Sequence, residues 1–277
     1  MNRLAISDRL AWSAIALASV AAVAGLVIPE LYRDRPVLVD VTRADNLFQL
    51  VVALPVFLAG MIAARRGSAH GRMAVFGTLM YLAYFFGLYA MAAVINAMTL
   101  VHITVTGLAV WAVLLGLPAL DVAAVETSIG PRLWRRSTIA FLLIIAGFHI
   151  PLWAALILGS VASGELPASL VSFGWLNTPV FLFDLAFALP LGILAAVFLA
   201  RHDPRGSVLG VSFTWFSGLL GLDMFVEQLW LVAAGSEMDI SQALPFGSIA
   251  LVSALLLVPV FVRRPADQHG SVATAPA

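Results

Sequence analysis

The sequence predicts an all-α fold, a polytopic transmembrane bundle of eight spans built as two parallel four-helix repeats, with both termini on the arginine-rich side. Three observations carry that expectation. The chain of 277 residues is 62% hydrophobic and 11% charged, with a mean hydropathy of +1.01, whereas about a quarter of a soluble domain is charged. Its apolar residues gather into eight windows, each long enough to cross about 30 Å of hydrocarbon at 1.5 Å per residue. Its arginines fall almost entirely between alternate windows, the pattern that sets orientation in membrane proteins.

The windows lie near 10–28, 46–64, 73–95, 98–117, 138–160, 176–199, 208–233 and 245–262. Backbone groups in lipid must be satisfied within their own segment, so each is read as a helix. The first follows Arg3 and Arg9 and reaches Ala22-Val23-Ala24, which gives it some features of a cleavable signal peptide. Taken as an uncleaved span, it keeps the arginine alternation consistent through to Arg264. The third and fourth windows meet at Asn96–Thr99 and are expected to form a tight hairpin, since residues 73–117 are too many for one helix. One side of the membrane then holds Arg3, Arg9, Arg65, Arg66, Arg72, Arg132, Arg135, Arg136, Arg201, Arg205, Arg263 and Arg264. The other holds only Arg33, Arg35 and Arg43, mixed with Glu30, Asp34, Asp40 and Asp45. That bias predicts both termini in the cytoplasm.

An internal match supports two halves. At an offset of 135 residues, Asn46–Gly71 aligns without gaps on Phe181–Gly206, with eight of 26 positions identical. The pairs Pro55/Pro190, Arg66/Arg201 and Gly71/Gly206 place the same kink and the same turn in both copies. An even number of spans per half makes this a parallel repeat, as in the two halves of some transporters. The predicted organisation is therefore 1–117 as a first four-helix half, 118–137 as a cytoplasmic linker, 138–264 as a second half and 265–277 as a disordered tail. The alternative is convergence of two proline-kinked helices. Gly60, Gly77, Gly159, Gly218 and Gly221 are read as sites of close helix packing. Trp153, Trp175 and Trp230, with Trp12 and Trp134 at the other end, are read as aromatic belts.

Function is sought in the ionisable groups at membrane depth, since an acid at a helix centre costs roughly 2.5–3.5 kcal/mol on insertion scales and so needs a partner or a wet cavity. The candidates are Asp184, Asp223, Glu227, His149 and His102, with Asp45, Gln49 and Asn96 adding polarity at the outer ends of their helices. Counting residues from the span ends puts Asp184 about 12 Å and Asp223 about 15 Å below the outer boundary. Glu227 lies one turn further out than Asp223 on the same helix face. The repeat pairs Asp184 with Gln49, and Asp223 and Glu227 with Leu88 and Ala92, so the acids are expected in the second half alone, around a polar cavity that opens outward. Each has a structural alternative. Asp223 and Glu227 could pair with Arg33, Arg35 or Arg43 from the outer loop, or with His102, and His149 could bond a carbonyl freed by Pro151.

Three classes of function follow. The first is a carrier of a small solute or of a cation, proton-coupled or not, with the acids as its binding groups. The second is a non-catalytic accessory subunit. The third is a membrane-embedded metal-binding enzyme, which His and carboxylate ligands permit. There is no cysteine, no H-E-x-x-H and no G-x-S-x-G, so thiolate chemistry and two familiar hydrolytic sites are absent. No catalytic residue is singled out and no cofactor is implied. The zero net charge points away from nucleic acid. The implied partners are the lipid bilayer and a small solute or cation, and no protein partner is legible.

Residues 65–96 carry one resemblance. Arg65-Arg66-Gly67-Ser68 followed by Gly71, Gly77, Tyr81, Tyr84, Tyr89-Ala90 and Asn96 resembles a group of uncharacterised bacterial multi-pass membrane proteins. The resemblance implies a multi-pass protein of the bacterial inner membrane, and transfers no activity, cofactor or site residue.

Overall fold

Eight long helices appear where the apolar windows fall, in a computed structural model that describes residues 3–28, 30–122, 125, 132–175, 178–236 and 238–262. They are α1 (Arg3–Val27), α2 (Pro36–Phe48) continuing into α3 (Leu54–Arg65), α4 (Ala69–Ala92), α5 (Thr99–Gly116), α6 (Arg132–Ser163), α8 (Pro179–Leu182) continuing into α9 (Leu189–Ala200), α10 (Pro204–Ala233) and α11 (Ile240–Val262). A short helix, α7 (Ala168–Phe173), stands between α6 and α8. All eight are long and apolar enough to cross a membrane, and no strand occurs among the described residues. The chain is a multi-pass, all-helical protein. Residues 123, 124 and 126–131 of the predicted linker and the whole predicted tail lie outside the described residues.

The helix ends show where hydropathy misjudged the spans. The second span begins at Pro36 rather than 46, with proline at the first helical position, where its missing N–H costs nothing. The turns over Asp40, Arg43 and Asp45 are too polar for an apolar window to register, yet they continue the helix. Asp45 consequently sits well inside a helix, 1% exposed, and not at its outer end.

Two spans are interrupted in the same manner. Between α2 and α3 the backbone widens to a π-helical stretch, Gln49–Ala53, and between α8 and α9 to another, Phe183–Ala188. Each is followed within two residues by a proline, Pro55 or Pro190, whose missing N–H and ring demand a local change of pitch. π-Bulges of this kind are frequent at functional sites. The turns that follow also match. Arg66 and Arg201 end their helices, Gly67 (φ 85°) and His202 (φ 56°) take left-handed conformations, and Ser68 and Asp203 cap the next helix. Ser68 Oγ accepts from Gly71 N at 3.1 Å, and Asp203 Oδ1 from Arg205 N at 3.0 Å.

α4 and α10 form the centre. They pack on each other, and each also packs on its neighbours, α4 on α3 and α5, α10 on α9 and α11. Glycine sets that approach. A Cβ on Gly77 would lie 2.2 Å from Trp215 Cβ and 2.7 Å from Ser212 O, and one on Gly221 2.8 Å from Phe246 O. Gly60 and Gly218 are similarly tight, but nothing lies within 4 Å of a Cβ on Gly159, so that residue of the predicted packing set faces open space. α1 packs along α5 and buries Ala11, Ala14, Ala18 and Ala21. α6 and α11, by contrast, touch only briefly. They are tied near the arginine-rich end, where Trp134 Nε1 donates to Leu256 O at 2.9 Å, and diverge beyond it. Trp134 is thus a buried packing residue rather than part of a belt.

Candidate functional site

The divergence of α6 from α11 leaves a cavity of about 570 Å³ between α2, α4, α6, α8, α10 and α11, with α7 beside its mouth. Most of its wall is aliphatic or aromatic. Its acids are Asp45, Asp184, Glu227 and Asp239, accompanied by Tyr84, Tyr89, His149, Trp153, Ser217, Ser241 and Gln242. Residues of the predicted set that meet here are therefore Asp184, Glu227 and His149.

Asp184 lies in the second π-helical stretch. Tyr84 Oη donates to its Oδ1 at 2.9 Å, and Trp153 Nε1 donates to its Oδ2 at 2.8 Å. Both donors are neutral, so they orient the carboxylate without cancelling its charge, at about 1.5–3 kcal/mol for each such bond. Trp153, assigned from sequence to an aromatic belt, belongs to this site. The gap-free partner of Asp184 in the repeat, Gln49, is buried beside Ile15, Ala18 and Ser19 of α1 and lines no part of the cavity.

A second acidic position is built on α2 and α10. Tyr89 Oη, on α4, makes a short hydrogen bond to Asp45 Oδ2, while Asp45 Oδ1 is buried without a partner. Glu227 approaches from α10, with only a long contact of 3.5 Å from Gln228 Nε2 to its Oε1. Tyr84 and Tyr89 are five residues apart on α4, so the two acidic positions are offset by about 7.5 Å along that helix. Asp45 answers one sequence expectation in the negative: the buried acids are not confined to the second half.

Asp223 stands behind the wall, wholly buried. It accepts from Tyr81 Oη at 2.7 Å through Oδ2, and its Oδ1 has no partner. The arginines proposed as its counter-ions do not reach it. Arg35 Nη1 donates to Val171 O at 2.6 Å, Arg43 lies 3.9 Å from Asp40, and among the described residues no Arg or His is ion-paired with Asp45, Asp184, Asp223 or Glu227. His149 bonds Ile145 O through Nδ1 at 2.9 Å, one turn back, and not the Gly147 carbonyl that Pro151 leaves free. His102, 2% exposed, packs against Phe86 and Tyr89 with an unpartnered Nδ1. Asn96 closes the α4–α5 turn, accepting from Met98 N at 2.8 Å. Neither of these two lines the cavity.

At the mouth, Asp239 caps α11. Its Oδ1 accepts from Ser241 Oγ at 2.6 Å and Ser241 N at 2.9 Å, and its Oδ2 from Gln242 Nε2 at 3.1 Å. Those bonds, the Ser241 hydroxyl foremost, hold its carboxyl below the ordinary range, so the mouth carries a fixed negative charge at neutral pH.

The three tyrosines that bond the acids, Tyr81, Tyr84 and Tyr89, were visible in the sequence only as elements of a resemblance. Their positions on one apolar helix were the available signal, because a buried phenol needs a hydrogen-bond partner. Among the described residues no three His, Asp or Glu gather as ligands of a metal ion would, so the metal-binding alternative finds no donor set there. Comparison of the chain with protein-family models, with curated proteins and with solved structures returns no match.

Proposed function

We propose that this protein is a carrier that binds a small cationic solute in the cavity between two four-helix halves. One observation carries the reading. Three carboxyl groups, Asp45, Asp184 and Glu227, line a cavity in which no arginine or histidine is ion-paired with them among the described residues, and His149 acts on Asp184 only from beyond ion-pair distance. Acids so placed at membrane depth are expensive unless something positive joins them, and such residues mark ion and substrate pathways.

The two-half organisation belongs to the same proposal. The paired π-helical stretches, the paired prolines and the two turns with left-handed Gly67 and His202 support a parallel repeat at the 135-residue offset. At that offset Ala14 and Ala18 of α1 correspond to His149 and Trp153 of α6. Small residues let α1 close on α5, and large ones hold α6 off α11, so the repeat is sealed in one half and hollow in the other. Broken helices at corresponding positions, with a site near the midplane, are the usual layout of repeat-built carriers. The arginine bias favours both termini in the cytoplasm, which makes the cavity outward-facing. The resemblance at residues 65–96 favours the bacterial inner membrane.

The test is current across proteoliposomes on a solid-supported membrane, challenged in turn with Na⁺, K⁺, choline, methylammonium and benzyltrimethylammonium, with and without a pH gradient. The expected result is a saturable current with at least one of these cations, lost in Asp184→Asn and Glu227→Gln proteins that still elute as monodisperse species. A wild type that is folded and silent to all five under both conditions would overturn the reading.

A further inference from the structure

The cavity also bears on what the rest of the ligand is. Its volume of about 570 Å³ falls within the 300–1,000 Å³ of sites for drug-sized molecules, many times the roughly 30 Å³ share of one water. A metal cation or a proton needs no such space. Much of the remaining wall is apolar, including Phe148, Leu152, Phe181, Phe216, Phe246 and Ile249, a surface that apolar matter and not water would fill.

We infer that the ligand is an organic cation with a bulky apolar body, an amine or quaternary ammonium bearing aliphatic or aromatic groups. The inference rests on the reading of this cavity as a cation site. Three further features agree with it. Trp153, Tyr84 and Tyr89 stand beside the carboxylates, so a cation seated there meets aromatic faces as well as negative charge. The acids occupy two offset positions, on Tyr84 and on Tyr89, which suits a charge at one end of an extended molecule. Finally, Phe148 and Leu152 line the cavity and yet are 50% and 37% exposed, because the seam between α6 and α11 is open there. On a membrane-spanning helix that exposed edge faces hydrocarbon, where an apolar-bodied cation partitions and a hydrated metal ion does not.

The experiment is equilibrium dialysis of the full-length protein in lipid nanodiscs against radiolabelled tetraphenylphosphonium, its isosteric anion tetraphenylborate, and choline, with tryptophan fluorescence as a second readout. Saturable binding of about one tetraphenylphosphonium per chain is expected, with no saturable tetraphenylborate binding and no displacement by a hundredfold excess of choline. The double variant Asp184→Asn, Glu227→Gln is expected to weaken tetraphenylphosphonium at least tenfold. Should that variant misfold, Ile249→Trp, which fills the apolar wall and leaves the acids in place, is expected to do the same. Choline binding without tetraphenylphosphonium binding overturns the apolar-body inference and leaves the cation site standing. Binding of neither by folded wild type overturns both. Equal uptake of the phosphonium and the borate, or binding indifferent to both variants, is partition into lipid and overturns the inference.

Discussion

Replacing Gly77 by alanine tests whether the α4–α10 contact sets the whole arrangement. The added methyl would sit 2.2 Å from Trp215 Cβ, 2.7 Å from Ser212 O and 3.1 Å from Phe216 N. Two of these are backbone atoms and the third is a Cβ, so none can swing aside. To reach ordinary van der Waals distance the helices must part by more than about 1 Å, and overpacking of this kind costs roughly 1–3 kcal/mol. Against it stands the helix preference of alanine over glycine, about 0.5–1 kcal/mol. A net loss of about 1–2 kcal/mol is expected. Gly159→Ala is the control, because nothing lies within 4 Å of its Cβ and only the favourable helix term, about 0.5–1 kcal/mol, remains. The same chemical change should thus move stability in opposite directions, by about 2 kcal/mol between the two variants. Reversible SDS unfolding in mixed micelles, followed by tryptophan fluorescence, reads that difference. A Gly77→Ala protein as stable as Gly159→Ala would refute the close approach of α4 and α10.

Other expectations follow from single contacts. Tyr84→Phe removes the 2.9 Å bond to Asp184 Oδ1, and should lower unfolding free energy by about 1.5–3 kcal/mol in the same SDS assay; an unchanged midpoint would show that the phenol does not hold the carboxylate. Gly67→Ala forces a side chain into a left-handed turn at φ 85° and should cost about 1 kcal/mol, as should loss of the α4 cap in Ser68→Ala. Melting curves of both beside wild type check these values. Asp203 is held down to about 2 by its hydrogen bonds with Arg205. A depressed carboxyl stabilises the fold above its unfolded value and loses that contribution as pH falls through the folded one. The gap in melting temperature between wild type and Asp203→Asn should therefore be full at pH 5 and close towards pH 2; a gap that persists at pH 2 would place its origin elsewhere.

Much of the fold was legible because lipid imposes a rule on composition: a span must be apolar for its whole length and helical throughout, and eight windows met that rule. The prolines at 55 and 190 and the glycines at 60, 77, 218 and 221 were legible too, since their backbone consequences are local. What escaped was information carried by side chains far apart in the chain. Asp45 was read as the outer end of its helix because that helix begins in a polar turn that hydropathy does not register. Trp153 looked like a belt residue until its indole was found on Asp184. Asp223, the acid that sequence placed level with Asp184, lies behind the cavity wall on Tyr81, and His102, Gln49 and Asn96 lie away from it.

The sequence by itself determined that this chain is a bundle of eight membrane-length helices, because period, length and arginine placement are properties of single segments. Which polar groups face one another, and that α6 and α11 part to leave a hollow while α1 and α5 close, was decided only in the tertiary structure. The physical reason is that burial of a charge depends on what stands opposite it. A carboxyl on one helix is costly or useful according to the phenol, indole or empty space that three other helices bring to it.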